Sequence, residues 1–71
     1  MENVNKILSE NIKNARLKKM MPKSVLAEGA NLAYHTMVKI EANRKSTTVL
    51  EMVKIAKTLN VDVESLLEGI I

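Results

Sequence analysis

Residues 23–45, KSVLAEGANLAYHTMVKIEANRK, decide the fold. Their apolar side chains fall at Leu26, Ala27, Ala30, Leu32, Met37 and Ile40. Leu26, Ala27 and Ala30 share one helical face, as do Met37 and Ile40, and the register breaks around Asn31. After glycine, asparagine best tolerates the left-handed backbone that a tight turn demands. The stretch therefore reads as helix, tight turn, helix.

Upstream, over residues 4–20, Val4, Ile7, Leu8, Ile12 and Ala15 recur at the helical period, with Asn3 in place as an N-cap. Pro22 ends that first helix or opens the second, because its ring fixes φ and disfavours helix at Met21. The second helix runs to about residue 30 and the third covers about 33–42. Asn43 is a second left-handed position, followed by a polar loop over 44–47. Thr48 and Glu51 then form a T-x-x-E capping box opening a fourth helix, whose stripe is Val49, Met52, Val53, Ala56 and Leu59. It ends near Asn60. Asp62 caps a short fifth helix that presents Val63, Leu66, Leu67 and Ile70. Met20, Met21, Met37 and Met52 fall at or near core positions, where their flexibility fills gaps. Nothing alternates like a strand and nothing repeats, so the expectation is one all-α domain over residues 1–71.

At 71 residues a single core is only just sufficient, and a second, ligand-sensing module is not expected. The absence of cysteine removes disulfides and thiolate chemistry. No apolar run approaches the roughly 20 residues of a membrane span, and Glu2, Lys6 and Glu10 stand where a signal peptide would be apolar. These features lead us to expect a cytoplasmic protein without membrane contact. Net charge is +3, but its distribution is uneven: residues 1–12 carry −1, residues 13–45 carry +6 and residues 46–71 carry −2. Eight of the eleven cationic residues (Lys13, Arg16, Lys18, Lys19, Lys23, Lys39, Arg44 and Lys45) lie in or beside the helix, turn, helix stretch. A polyanion would be drawn to that half, although each lysine taken singly also fits a solvated helix face. There is no carboxylate pair, activated nucleophile or Gly-rich phosphate loop, so catalysis is not expected.

The pattern resembles the Cro/CI-type, or xenobiotic-response-element-like, helix-turn-helix family of phage and bacterial repressors. The resemblance covers about residues 8–68. Leu26-Ala27-Glu28 is similar to the family's Leu-Ala-Glu in the second helix, Leu32 to the apolar residue after the turn, and Met37, Ile40 and Glu41 to its Ile-x-x-Ile-Glu run. The stretch 55–61, IAKTLNV, looks like the family's Leu-Ala-Lys-Ala-Leu-Gly-Val, with the pair Leu66-Leu67 beyond it. Asn31 and Asn43 replace two customary glycines, Pro22 and Ala33 replace two side-chain caps, and Lys23 stands where the family has a phosphate-binding Gln. The resemblance implies a compact five-helix, lambda-repressor-like DNA-binding domain, with its helix-turn-helix at about residues 22–42. It further implies a partly buried ion pair of Arg16 with Glu41.

In the docked geometry of such motifs, the third helix enters the major groove with Leu32, Met37 and Ile40 turned inward. Tyr34, His35 and Lys39 are then the candidate base contacts, Lys39 as a reader of guanine acceptors. The alternative for Tyr34, the chain's single aromatic, is that it covers part of the second helix. His35 fits a base contact, a phosphate donor or a surface residue without a role. With no second histidine and no cysteine, a metal role for it is not expected. A charged His35 beside DNA predicts tighter binding at lower pH. Lys23, Ser24, Thr36, Asn43, Arg44 and Lys45 are the candidate phosphate contacts, placed at helix N-termini and in the loop after the third helix. Leu66, Leu67, Ile70 and Ile71 form an apolar end suited to a twofold dimer. The expected partners are double-stranded DNA and a second copy of the chain, with no cofactor, metal or small-molecule ligand. The competing reading is a protein-interaction module, an antirepressor or coactivator-like adaptor, that kept the fold.

Overall fold

The computed structural model describes residues 2–71, with side chains from Val4 onward. Five helices follow one another: α1 (Glu2–Lys18), α2 (Lys23–Gly29), α3 (Tyr34–Glu41), α4 (Val49–Leu59) and α5 (Val63–Leu66). α1 packs against α3, α4 and α5, and α2 packs against α3 and α4. At their meeting point Leu8, Ile12, Leu26, Ala27, Ala30, Met37, Ile40, Ile55, Ala56, Leu59 and Leu66 form one buried cluster. Burial stabilises each of its large side chains by about 1.5–3 kcal/mol relative to exposure.

The same device stops α1, α2, α3 and α4. Met20, Asn31, Asn43 and Asn60 have φ of 54°, 56°, 58° and 57°. In each case the following N–H reaches back five residues to a helix carbonyl, as Leu32 does to Ala27 at 2.8 Å and Arg44 to Lys39 at 2.8 Å. The left-handed residue thereby satisfies carbonyls that the helix end would leave open. α4 starts on the capping box that its sequence announces. The Glu51 N–H donates to Thr48 Oγ1 at 3.0 Å, and the Thr48 N–H donates to Glu51 Oε1 at 3.0 Å.

Several expectations need correction. α1 begins at Glu2, so Asn3 lies inside the helix and is not its N-cap. Met20 is 89% exposed, because as the left-handed residue after α1 it turns away from the core. Val4 is half exposed and Val49 is 71% exposed, since each lies at the start of its helix beyond the reach of its neighbours; Ile55, absent from the expected stripe, is fully buried. Asp62 occupies the N-cap position of α5 without a side-chain cap hydrogen bond. The apolar end is largely covered by the chain itself. Leu66 is 1% exposed, Leu67 and Ile70 pack against the core, and Ile71 at 89% is the residue left open.

One close approach and one unpartnered hydroxyl complete the interior. A Cβ added at Gly29 would come within 2.5 Å of Thr58 Cγ2, so this glycine lets α2 and α4 approach closely. Ser9 sits on the core face of α1, and its Oγ has no hydrogen-bond partner among the described residues. Among those residues no helix is long and apolar enough to cross a membrane.

Candidate nucleic-acid interface

α3 is divided lengthwise into a buried and an open face. Met37 and Ile40 are fully buried beneath it, whereas Tyr34, His35 and Lys39 are exposed and Thr36 is half-buried. For His35 and Lys39 the division follows from spacing, since residues 37 and 40 share one face while 35 and 39 fall opposite; Tyr34, three residues before Met37, is open because it begins the helix. Tyr34 is 56% exposed, and its remaining surface lines an open groove of about 690 Å³ between α2 and α3, with Ser24, Val25 and Glu28 on the opposite wall. Tyr34 is thus partly open and partly set in the groove that it shares with α2.

The N-termini of α2 and α3 are free of side-chain caps. Pro22 and Ala33 hold the N-cap positions in extended conformation, neither has a side-chain oxygen to offer, and no acidic residue lies in either first turn. Backbone N–H groups at such an end and the positive end of the helix dipole favour an anion. Lys23 and Ser24 begin α2 beside this groove, Lys23 half-buried and Ser24 exposed.

The far end of α3 is anchored. Arg16 Nε donates to Glu41 Oε2 at 2.7 Å and Nη2 to Glu41 Oε1 at 3.0 Å, while Nη1 donates to the Met21 carbonyl at 2.8 Å. Both side chains are more than nine-tenths covered. Such a two-pronged pair joins α1 to α3 with fixed geometry. The ion pair implied by resemblance is present, and Arg16 also holds the α1–α2 connection.

Beyond α3 the candidate phosphate contacts differ from one another. Arg44 is exposed. Asn43 accepts a hydrogen bond from Asn5 Nδ2. Lys45 Nζ lies 2.6 Å from Glu51 Oε1 and donates to the Ser46 carbonyl at 2.9 Å, so its ammonium is already engaged within the protein. Burial tends to raise the Glu51 carboxyl, but the Lys45 ammonium together with the backbone and hydroxyl of Thr48 outweighs it and holds the group below the ordinary carboxylate value. Sequence reasoning missed Asn5 and this role of Glu51. The available signal was that Asn5, Ser9 and Arg16 place polar atoms on the apolar stripe of α1.

A model of the helix-turn-helix family matches residues 12–66, most of the chain. This chain belongs to the Cro/CI-type helix-turn-helix family. Among solved structures, the restriction-modification controller protein C.AhdI from Aeromonas hydrophila superposes with a TM-score of 0.84, covering 87% of this chain and 94% of that one at 16% identity. At that identity the likeness establishes a shared fold. Comparison with curated proteins gives no match. Family membership, with the exposed residues of α3, supports a DNA-binding transcription regulator whose partner is double-stranded DNA.

Proposed function

We propose that this protein is a sequence-specific repressor that binds a roughly palindromic operator as a homodimer in the cytoplasm, acting by occupancy without a catalytic step. The observation that carries this reading is the split of α3, whose Met37 and Ile40 are buried in the core while Tyr34 and His35 at its uncapped start and Lys39 in its last turn stand exposed. Those three side chains are the base readers. Lys23, Ser24, Thr36, Asn43 and Arg44 position the duplex through phosphates, with Lys45 available only where a phosphate displaces Glu51.

The dimer contact lies at the α5 end. Leu66 is committed to this chain's own core, leaving Ile71 and the outer edges of Leu67 and Ile70 for the second copy. One copy measures 28 × 22 × 20 Å, less than the roughly 34 Å of one duplex turn, which suits one copy per half-site. Light scattering on the free and DNA-bound protein should give a dimer; a monomer in both states would remove this part of the reading.

The decisive experiment selects from a random duplex pool at about 150 mM salt, near physiological ionic strength, and repeats with the Tyr34→Ala, His35→Ala, Lys39→Ala triple variant. Enrichment of paired half-sites, lost in the variant, is expected. A folded protein that enriches no sequence would overturn the reading in favour of an adaptor for a protein partner.

A further inference from the structure

One primary amide on α1 reaches the whole segment that follows α3. Asn5 Nδ2 donates to Asn43 Oδ1 and to the Lys45 carbonyl at 3.1 Å, and Asn5 Oδ1 accepts from the Thr47 N–H at 3.3 Å. Its partners thus stand at alternate positions 43, 45 and 47. Along the same segment Lys45 and Thr47 are half-buried, whereas Arg44 and Ser46 are exposed. The bonds hold the backbone at 45 and 47 against α1, and Arg44 and Ser46 beside these fixed points are left exposed. On its other flank the segment is held by α4, through the Lys45 to Glu51 contact and the Thr48 cap.

We propose that Asn5 is a positioning residue for DNA binding, which sets the backbone of residues 43–47 so that Arg44 and the neighbouring backbone meet a phosphate. The inference rests on the DNA-binding reading above and adds a residue from outside the helix-turn-helix. Asn5 itself touches no DNA. Its three bonds replace the ordering that this segment would otherwise undergo on binding, and an unordered arginine loses rotamer and backbone freedom when it meets a phosphate.

The test measures affinity of the full chain for its selected operator and for an unrelated duplex across a salt series. Asn5→Ala should weaken both by a similar factor, about three- to tenfold for the loss of one to two net hydrogen bonds' worth of ordering. The salt slope should become shallower by up to about 0.9, one phosphate contact. The ranking of operator sequences should stay as it was, and the Thr47 amide should exchange faster in the free protein. In an Arg44→Ala background Asn5→Ala should cost almost nothing further, while in a Lys39→Ala background it should cost its full factor. A merely structural role would give the same penalty in both backgrounds, and that result overturns the proposal. Equal binding and equal slope for Asn5→Ala and the parent overturn it while leaving the DNA-binding reading intact. A folded parent chain that binds no duplex overturns both. Should Asn5→Ala not fold, Asn5→Gln, a good helix former whose amide sits one methylene further out, is judged by the same criteria.

Discussion

The first turn of α3 and its last are held in opposite ways. At the first, Ala33 offers no cap, no carboxylate neutralises the N–H groups, and Tyr34 and His35 stand in solvent. At the last, Glu41 is gripped by Arg16, and the chain that follows is tied to α1 through Asn5 and to α4 through Lys45 and Glu51. Uncapped helix ends ordinarily reduce stability by about 1 kcal/mol each. At the first turn the helix N–H groups stay open to an anion, whereas the last turn and the segment beyond it are fixed by polar contacts to α1 and α4. One end of this short helix is left open and the other is held rigid.

That division can be broken by mutation. The largest effect is expected for Arg16→Met, which strands Glu41 as a buried carboxylate and should cost about 3–5 kcal/mol, out of about 4–10 kcal/mol for a chain of this length. An unchanged melting temperature would show that the last turn is not anchored by this pair. Next, Thr48→Ala removes the cap at the start of α4 and should cost about 1 kcal/mol in urea unfolding. A smaller effect follows from pH. Glu51 is held below the ordinary carboxylate value in the folded chain, so its contribution is fully present above the unfolded value of about 4.3 and is lost as pH falls through the lower folded one. Glu51→Gln should show a flatter loss of stability in acid than the parent, and parallel curves would contradict the pairing. The smallest change in stability belongs to the exposed side chains of α3: Tyr34→Ala, His35→Ala and Lys39→Ala should each stay within about 0.5 kcal/mol of the parent. A large melting shift in any of them would mean that the open face carries structure as well as contacts.

Much of this arrangement is legible from residues close together in the chain. Asn31 and Asn43 mark the turns, Thr48 and Glu51 announce α4, and the spacing of Met37 and Ile40 fixes which face of α3 is buried. Errors arose where local pattern gives way to three-dimensional reach. Val49 continues the α4 stripe on a helical wheel, yet it stands at the helix start with nothing over it, and Ile55 takes the core position instead. The Arg16 to Glu41 pair spans 25 residues, and only family resemblance pointed to it. Asn5 bonds to partners 38, 40 and 42 residues away, so no local rule could propose them. The close approach of Gly29 to Thr58 is likewise a property of how two helices cross.

The four left-handed hinges bear on the denatured chain as much as on the native one. Glycine would satisfy each turn, but it would also leave the unfolded chain freer at that point, a difference of about 0.4–1 kcal/mol per site in favour of a side-chain-bearing residue that tolerates the native angles. With asparagine at 31, 43 and 60, the protein restricts the ensemble it must leave in order to fold, while each hinge keeps its left-handed turn. Met20 has no polar side chain to ease that geometry, and there the balance tilts toward native strain. In so small a chain, part of the folded state's advantage is conformational freedom that the unfolded chain never had.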